Sequence, residues 1–436
     1  MRVALVERHL FGGTCVNTGC IPTKTMIASA YVAHTARRAP DYGVHLAGEV
    51  TVDMKAVKAR KDAISQASSR GLEEWLRNLT NVTVLLGTAN FEDAKTVRVN
   101  AERLRAERIF INVGGRAYIP PLAGVDQTPF LTNSTMMDVD FLPKHLIIVG
   151  AGYVGLEFAQ MFRRFGSEVT VIEKGSRFLP REDQDVADAI RATLESEGIR
   201  FRLDATCISI NRAAEGTAVM VGVDCQEGEP RVAGSHVLLA VGRTPNTDDL
   251  GLSRAGVATD ERGYIKVDDQ CRTNVPGIWA LGDCNGRGAF THTAYNDFEI
   301  VAANLLDHDP RRISDRIPCY ALYTDPPLGR VGMTEEAVKG TRRKALIGKR
   351  SMDRVGRAVE RGETRGFMKI VIAEDTGEIL GASFLGLNAD EVVHSLLDVM
   401  YAHAPYTVFR RAMHIHPTVS ELIPTMLGEL KSLPIE

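Results

Sequence analysis

The chain has 436 residues, 44% of them hydrophobic, and a formal net charge of −3, a composition typical of globular proteins with about two or three domains. Its 52 basic and 55 acidic residues exclude a polybasic protein that binds nucleic acid or an anionic membrane surface. Seven cysteines are too few for a disulfide-rich secreted framework. Because no apolar run of about 18 residues and no secretory leader is recognised, we expect a cytoplasmic protein without membrane contact.

The first predicted element is a short buried strand over residues 2–7 that ends in Glu7. In a dinucleotide-binding unit, an acidic residue at the end of the second strand binds the adenosine ribose. The first strand, its glycine-rich turn and its helix would precede this strand. We therefore expect the natural chain to begin about 30 residues earlier, in preference to a functional short form.

The next feature is a pair of cysteines, Cys15 and Cys20, five positions apart. Gly19 between them permits the backbone bend that the two sulfurs need in order to meet. Residues 21–38 are predicted to form a helix, and its N-terminus, together with Lys24, favours thiolate over thiol. The pattern predicts a redox-active dithiol, and the alternative is two unrelated buried cysteines.

The middle of the first half alternates between predicted strands and turns. A long polar helix is predicted over residues 52–76 and a strand over 82–86, followed by a turn. A buried strand over 109–113 runs into Gly114 and Gly115. Such a glycine turn lets the backbone approach a bound cofactor closely.

A second dinucleotide unit begins near residue 142. An apolar strand over 145–149 leads into a G-x-G-x-x-G turn, a helix over 156–165 and a strand over 169–173 that ends in an acid. The motif alone is weak, but in this context it predicts a dinucleotide site whose helix N-terminus stabilises the pyrophosphate. Glu173 suits the free 2′-hydroxyl of NAD, so NADH is favoured. Lys174 or Arg177 could instead reach a 2′-phosphate, which leaves NADPH as the alternative.

The second half repeats this pattern and then changes character. A helix over 185–197 is followed by a buried strand over 237–241 that ends at Gly242. It parallels the strand and turn at 109–115 and so suggests two similar nucleotide-binding lobes. A further strand ends in Gly-Asp, which would place Asp283 beside a cofactor. From about residue 315 a new domain is predicted, with strands over 367–372 and 379–384 and helices over 389–402 and 408–413.

The tail carries two histidines and a glutamate around a proline. Glu421 could orient His416 and raise its basicity. The alternative is a solvated surface pair. Metal binding by His414 and His416 lacks further ligands at a suitable spacing, so no metal site is predicted.

These motifs occur in one order: the dithiol, the G-x-G-x-x-G turn, Gly-Arg, Gly-Asp and the terminal His-Pro-Thr-x-x-Glu. That order resembles the class I flavoprotein pyridine nucleotide–disulfide oxidoreductases, over nearly the whole chain. Segments 15–24 and 323–332 are most similar to the mercuric-reductase-like branch.

The resemblance implies an α/β fold with two Rossmann-like dinucleotide-binding domains, the first lacking its opening strand, glycine turn and helix, plus a C-terminal α+β dimerisation domain. Residues 1–141 and 265–314 would form the FAD-binding domain. Residues 142–264 would bind NAD(P), and residues 315–436 would form the dimer interface.

The resemblance also implies the cofactor contacts. FAD would be bound by Glu7, Gly13, Thr14, Lys24, Thr88, Ala89, Gly114, Gly115, Asp283, Thr291 and His292. NAD(P)H would be bound by Gly150, Gly152, Tyr153, Gly155, Glu173, Lys174 and Gly242. Tyr153 would cover the nicotinamide pocket and move when the dinucleotide enters.

The implied catalytic roles are specific. Cys20 would face the flavin, and Cys15 would exchange with the substrate. Lys24 would pair with Glu157 near the flavin and the nicotinamide. His416, held by Glu421, would reach Cys15 of the other subunit, so the active site would be shared in a homodimer.

Two departures from the family limit the prediction of function. The FAD pyrophosphate turn is not in this sequence, which would lower FAD affinity, and residues 422–436 have no cysteine pair of the kind that passes mercury inward. We expect an NAD(P)H oxidoreductase that reduces a disulfide or a thiophilic acceptor through Cys15 and Cys20. One alternative is a reductase of mercuric or another metal ion, such as copper. Another is a non-catalytic chain that cannot retain FAD.

Overall fold

The computed structural model describes residues 2–212, 219–224 and 230–434. The α-helices of this part of the chain are α1 Gly13–Asn17, α2 Cys20–Arg37, α3 Met54–Arg77, α4 Tyr153–Phe165, α5 Gln184–Ser196, α6 Thr291–Ala302, α7 Glu335–Thr341, α8 Gly356–Glu360, α9 Ala389–Val392, α10 His394–Tyr401, α11 Tyr406–Arg411 and α12 Leu422–Leu427. None of its helices is both long and apolar enough to cross a membrane.

The strands form seven small sheets within the described residues. They are β1 Val3–Glu7, β2 Val82–Leu86, β3 Ala89–Phe91, β4 Thr96–Val99, β5 Glu102–Arg105, β6 Ile109–Ile111, β7 Gly115–Ala117, β8 His145–Val149, β9 Glu168–Ile172, β10 Arg200–Arg202, β11 Thr206–Arg212, β12 Val219–Asp224, β13 Arg231–Gly234, β14 His236–Leu239, β15 Arg243–Pro245, β16 Ile278–Ala280, β17 Cys319–Leu322, β18 Leu328–Gly332, β19 Ala345–Ser351, β20 Phe367–Ala373, β21 Ile379–Leu385 and β22 Lys431–Ser432.

The dinucleotide unit is built on a four-stranded parallel sheet, in the order β10-β9-β8-β14. Its inner strands are almost continuously apolar because both faces are covered: four of the five residues of β8 are buried. Helix α4 follows β8 through the glycine turn and packs against α2. The dithiol helix and the dinucleotide helix are thereby held side by side, with Met26 and Phe158 in one core cluster.

The C-terminal region is built on a six-stranded antiparallel sheet, in the order β17-β18-β21-β20-β19-β22. All seven residues of β20 are buried because it is a central strand with both faces covered. The sheet and helices α10 to α12 enclose their own core, which includes Phe384, Leu396 and Ile423. The predicted α/β fold with a C-terminal α+β unit is confirmed.

The prediction of a buried first strand is wrong. In β1, Val3 and Ala4 are exposed and the other three residues are half-buried. The strand is hydrogen-bonded in parallel to β2, in a two-stranded sheet, so its apolar side chains lack the cover that a central strand receives. A similar correction applies to β6, where Phe110 is 47% exposed and stacks on Trp279 with ring centroids 5.1 Å apart.

Most predicted helices have shifted ends. The helix predicted over 52–76 begins at Met54, because the side chain of Asp53 caps it by accepting from Lys55 N at 2.9 Å. The helix predicted over 389–402 is divided into α9 and α10 at Val393. The one predicted over 408–413 is α11, which ends at Arg411.

Candidate active site

The two cysteines lie on two short consecutive helices. Cys15 is in α1, and α2 begins at Cys20. Gly12 precedes α1 with φ 94°, and a Cβ there would lie 2.4 Å from Cγ2 of Val16. A Cβ on Gly19, at the break between the helices, would lie 2.8 Å from the carbonyl oxygen of Thr14. Glycine at both positions therefore lets the chain reverse and bring the two thiols together.

The two thiols hydrogen-bond each other, and their acidities diverge. The hydrogen bond from Cys15 lowers the pKa of Cys20 to about 5; burial opposes this shift, and the Thr291 hydroxyl and the Lys24 charge add to it. The same hydrogen bond, with burial, raises the pKa of Cys15. The Cys20 Sγ lies 3.3 Å from Oγ1 of Thr291. These opposite shifts favour a thiolate at Cys20 and a thiol at Cys15 in the reduced pair.

Lys24 is held by the dinucleotide helix. Its Nζ lies 2.7 Å from Oε2 of Glu157, a residue that is 8% exposed. The other carboxylate oxygen of Glu157 accepts from Tyr323 N at 3.1 Å. The Lys24 ammonium also lies 4.6 Å from the centroid of the Tyr323 ring, a cation–π distance. Three separate segments thus fix a positive charge one helical turn from Cys20.

Several predicted FAD-binding residues converge on the guanidinium of Arg243. Its Nε lies 3.2 Å from Oδ2 of Asp283, and its Nη2 donates to the carbonyl of Gly115 and lies 3.5 Å from Oγ1 of Thr14. Gly114, beside them, has φ 64° and no atom within 4 Å of a Cβ built on it. The backbone at this turn is therefore free to approach a ligand.

Three other predicted FAD contacts lie at the end of the β1–β2 pair. Gly87 N donates to the carbonyl of Glu7 at 2.9 Å, which places Thr88 and Ala89 beside that residue. The carboxylate of Glu7 accepts from His9 N at 2.9 Å. Gly13, at the start of α1, has φ 56° and open space around its Cβ position. Glu7, Thr88 and Ala89 thus lie together, and Gly13 directly precedes Thr14 of the Arg243 cluster.

His292 does not face the thiols. Its ring stacks on Phe290, and its Nε2 lies 2.8 Å from the carbonyl oxygen of Cys319. The neighbouring Thr291, at the start of α6, makes the contact with Cys20. Since consecutive residues on a helix point about 100° apart, only one of them can face the dithiol.

The dinucleotide turn has the geometry that its glycines predict. A Cβ on Gly150 would lie 2.5 Å from the Ala240 carbonyl oxygen, and one on Gly155 would lie 2.1 Å from the Gly150 carbonyl oxygen. A Cβ on Gly152 would meet nothing within 4 Å, so this position opens toward a ligand. Gly242, with φ 130°, is open in the same way.

Glu173 is bound to this turn. Its carboxylate accepts from Ala151 N at 2.7 Å and from Gly175 N at 2.9 Å. Lys174, the next residue, is exposed. The side chain of Arg177 lies 3.2 Å from the carboxylate of Glu336 and donates to the carbonyl of Glu182.

The His416–Glu421 pair is present, but it does not lie among the other site residues of the same chain. The Nδ1 of His416 lies 2.9 Å from Oε2 of Glu421, and the histidine side chain is 81% exposed. Its neighbours Met413 and Ile415 are 99% and 80% exposed. An exposed apolar loop around a held imidazole is typical of a segment that inserts into another subunit.

Sequence reasoning missed Arg243, Tyr323, Glu182 and Tyr320 as members of the site. Arg243 lies in the Gly-Arg motif and Tyr323 begins the segment 323–332, so each motif contains a signal for its residue. Glu182 and Tyr320 lie outside the site motifs. Only the fold brings them to Tyr153.

The glycine turn, the paired cysteines and the antiparallel C-terminal sheet together define a flavoprotein disulfide reductase. A family model for pyridine nucleotide-disulphide oxidoreductases matches residues 1–297, and a model for the dimerisation domain of the same family matches residues 319–427. The chain belongs to the pyridine nucleotide–disulfide oxidoreductase family, whose members use FAD and NAD(P)H. The second match supports a homodimer.

Its relatives include two kinds of enzyme. The probable pyridine nucleotide-disulfide oxidoreductase RclA of Escherichia coli is 34% identical over 99% of this chain and 94% of the relative. Dihydrolipoyl dehydrogenase 2 of Haloarcula marismortui is 34% identical over 96% of this chain and 89% of the relative.

Two solved structures are also similar. A structure described as the Cu(II) complex of the HOCl-induced flavoprotein disulfide reductase RclA from Escherichia coli has a TM-score of 0.89 at 33% identity, covering 99% of this chain and 94% of that one. LpdA from Mycobacterium tuberculosis has a TM-score of 0.89 at 27% identity, covering 98% and 93%.

The residues present fit FAD. The open glycine backbone at Gly13 and Gly114 could lie against a cofactor, since an added Cβ meets no atom within 4 Å at either position. Asp283 and Thr14 offer side-chain oxygens from two separate segments. Lys24 adds a fixed positive charge beside Cys20.

Proposed function

We propose that this chain is an NAD(P)H-dependent disulfide reductase that transfers electrons to its acceptor through Cys15 and Cys20. The observation that carries the proposal is the thiol–thiolate pair, in which Cys20 has a pKa lowered to about 5 beside a fixed lysine. A pair of structural cysteines would need neither the Lys24–Glu157 ion pair nor the hydroxyl of Thr291 at 3.3 Å.

The cofactor residues in this proposal are those of the two glycine turns. Thr14, Gly114, Gly115 and Asp283 would hold FAD, with Glu7 on its adenosine side. Bound FAD would take two electrons from NAD(P)H and deliver them to the disulfide form of the cysteine pair. The domain division at residues 141, 264 and 314 also remains a proposal. It is supported by the four-stranded sheet, which lies within residues 142–264, and by the six-stranded sheet, which lies within residues 315–436, whereas β15 pairs with β7 across the first boundary.

The acceptor reaction balances as two thiol–disulfide exchanges. Cys15, as thiolate, attacks one sulfur of a disulfide, forms a mixed disulfide and releases the first thiolate. The Cys20 thiolate then attacks the Cys15 sulfur and releases the second thiolate. Two electrons leave the cysteine pair, which becomes a disulfide, and two protons convert the released thiolates to thiols.

Cys15 needs a base in this scheme because its pKa is raised by its hydrogen bond to Cys20 and by burial. We propose that His416 of the partner subunit supplies that base. Its imidazole is oriented by Glu421 at 2.9 Å and is 81% exposed on one chain, so it is available to a second subunit. After exchange, the same imidazole would return the proton to the leaving thiolate.

NADH is the proposed reductant. The Glu173 carboxylate directly follows β9 and is fixed by the backbone N–H of Ala151 in the dinucleotide turn and by that of Gly175. A carboxylate there would accept from the free ribose hydroxyls and repel a 2′-phosphate. The side chain of Arg177, which could have reached such a phosphate, is paired with Glu336.

A second acceptor, Cu(II), is favoured by one observation: the similar RclA structure is described as a Cu(II) complex. A thiol and a thiolate in contact could bind a thiophilic ion and reduce it. Two Cu(II) ions would become two Cu(I) ions as Cys15 and Cys20 form a disulfide, with release of the Cys15 proton. Mercuric ion would use the same two thiols.

The test is steady-state NADH oxidation by the FAD-loaded protein with a small disulfide, Cu(II) or Hg(II) as acceptor. We expect turnover with the disulfide in the wild type and a loss on the order of 100-fold or more in C15S and C20S. Turnover with a metal ion alone would assign the second function. NADH oxidation that is unchanged in both variants would overturn the proposed route through the dithiol.

A further inference from the structure

A buried carboxylate, Glu182, joins the dinucleotide turn to the antiparallel sheet and has no part in the steps above. Its side chain is 0% exposed. Its Oε1 accepts from the hydroxyl of Tyr153 at 2.6 Å and from that of Tyr320 at 2.7 Å. Its Oε2 lies 3.3 Å from Nη1 of Arg330. Every oxygen of this carboxylate is therefore engaged, and one of its partners belongs to the cofactor site.

Tyr153 lies between Gly152 of the dinucleotide turn and Glu157 in the chain. It is the first residue of α4 and directly follows Gly152, the glycine that opens toward a ligand. It lies one helical turn before Glu157, on the same face of the helix, because residues four apart on a helix are neighbours. Its ring is thus located between the dinucleotide turn and the Lys24–Glu157 pair, where a nicotinamide must pass to reach the dithiol side of the site.

The other partners of Glu182 are fixed in the six-stranded sheet. Tyr320 and Arg330 lie opposite each other in the β17–β18 pair. The Tyr320 ring stacks on Phe290, with centroids 5.7 Å apart at 9°. Arg330 is 1% exposed and also hydrogen-bonds Ser383. Both groups can hold the carboxylate when Tyr153 has left it.

The hydrogen bond from the Tyr153 hydroxyl to the Glu182 carboxylate is a strong one. It is a short O–H···O⁻ contact to a carboxylate whose side chain is fully buried, and such charge-assisted bonds are about twice as strong as neutral ones. The Tyr153 ring also packs on the Tyr320 ring, with centroids 5.6 Å apart. Burial and the Glu182 charge raise the pKa of Tyr320 to about 12, so its hydroxyl remains a donor at all working pH values.

We propose that Glu182 is a positioning residue that holds Tyr153 closed over the dinucleotide path, so that NAD(P)H binding must release this hydroxyl while Tyr320 and Arg330 keep the carboxylate in place. The inference rests on the proposed NAD(P)H-dependent function. Because the closed state does not bind, the bond lowers the apparent dinucleotide affinity. Tyr320 shares the acceptor atom and so weakens the hold on Tyr153.

Three variants separate this role from a structural one. Y153F removes only the hydroxyl, and E182Q replaces the carboxylate with a weaker neutral acceptor. We expect both to bind NAD⁺ and NADH about fivefold more tightly than the wild type, the effect of one lost hydrogen bond in the closed state. Y320F removes the competing donor from Oε1, and we expect it to bind about twofold to threefold more weakly.

Affinity is measured by titration calorimetry of the FAD-loaded protein with NAD⁺, which needs no turnover. Y401F is the matched control: this hydroxyl accepts from Ile317 N at 3.1 Å instead of donating to Glu182, and we expect wild-type affinity. Unchanged affinity in Y153F, or weaker binding in both Y153F and E182Q, would overturn the proposal.

Flavin reduction by NADH in the wild type, recorded on the same samples, tests the proposed function separately. If the wild type binds NADH and its flavin is reduced, while Y153F and Y320F bind NAD⁺ like the wild type, only the role of Glu182 is wrong. If the wild type binds neither dinucleotide, both proposals fail. Because Y153F retains the whole carboxylate cluster, a folding defect in E182Q would still leave the decisive comparison in place.

Discussion

Lys24 and Glu157 form an ion pair of 2.7 Å between the helix that carries Cys20 and the helix that follows the dinucleotide turn. The two residues are 133 positions apart in the chain. Glu157 is almost fully buried, while the Lys24 side chain is 34% exposed. The pair therefore fixes a positive charge beside the dithiol and joins the dithiol helix α2 to the dinucleotide helix α4.

Removing the charge of Lys24 should weaken the acidity of Cys20. In K24M we expect the pKa of Cys20 to rise from about 5 by about one pH unit, because the ammonium stabilises the thiolate at short range. The hydrogen bond from Cys15 remains and keeps the pKa below that of an ordinary thiol. The measurement is the pH dependence of alkylation of the reduced protein, followed by mass spectrometry of the peptide containing Cys20. K55M, on an exposed helix face, serves as the control, and an identical midpoint in K24M and wild type would contradict this prediction.

The stability of the reduced protein should depend on pH through Cys20. The pKa of this thiol is about 5 in the folded chain and about 8.5 in an unfolded one, so unfolding binds a proton between those values. Its contribution is therefore fully present above about pH 8.5 and is lost as the pH falls toward 5. Cys15 remains protonated throughout this window, because its folded pKa is raised.

Urea unfolding of the reduced wild type and of C20S at a series of pH values measures the contribution of Cys20 ionisation to the free energy of unfolding. We expect the wild type to gain stability over C20S as the pH rises across the window. A difference that stays constant with pH would show that Cys20 is not held as a thiolate.

Arg164 should be a strong determinant of stability. Its guanidinium is bound by Glu197 at 2.8 and 2.9 Å and by Asp325 at 2.6 Å, and its side chain is only 6% exposed. R164M would leave Glu197, 12% exposed, without its cation, and we expect a loss of about 3 to 5 kcal/mol in the free energy of unfolding. In R191M, which breaks an exposed pair with Glu195, we expect a loss of about 0.5 kcal/mol or less. Equal losses in the two variants, measured by urea denaturation, would be inconsistent with this assignment.

Alanine substitutions at two glycines of the dinucleotide turn should have different effects, one on stability and one on NAD⁺ binding. G155A places a Cβ 2.1 Å from the Gly150 carbonyl oxygen, so we expect a loss of several kcal/mol of stability, on the order of an overpacked core site. G152A meets no protein atom within 4 Å and should fold normally, but its methyl group would occupy the space of the pyrophosphate and weaken NAD⁺ binding.

Thermal unfolding and NAD⁺ calorimetry of the same samples distinguish these two outcomes. G71A, in the open middle of α3, is the control, for which we expect a gain of about 0.4 to 1 kcal/mol. If G152A bound NAD⁺ as tightly as the wild type, the assignment of this turn to the dinucleotide would be wrong.

Subunit mixing should reveal whether the active site is shared. C15S and H416A are each expected to be inactive as homodimers. In a C15S/H416A heterodimer, one of the two sites would combine an intact Cys15 with an intact His416 from the other chain. Mixing and reassembly in equal amounts should therefore restore about one quarter of wild-type activity, since about half of the dimers are mixed and each has one intact site. No recovery in reassembled dimers would place His416 and Cys15 in the same chain.

The sequence by itself determined the short motifs that carry the chemistry of the site. The spacing of Cys15 and Cys20, the G-x-G-x-x-G turn and the acid at the end of β9 are short-range patterns, and each was found where the sequence predicted it. Such patterns are readable because the backbone geometry they require depends on a few consecutive residues, above all on glycines. The C-terminal strands over 367–372 and 379–384 also lie where they were predicted, although helix ends there shifted by one or two residues and the helix predicted over 389–402 is divided in two.

The tertiary structure alone decided which distant groups complete the site. Thr291 lies 271 positions from Cys20, and Tyr320 lies 138 positions from Glu182. These contacts depend on how separate sheets and helices pack, which no local pattern encodes. The exposure of β1 has the same cause: its apolar composition predicts burial, but burial requires neighbouring layers on both faces, and only the assembled fold determines whether a strand receives them.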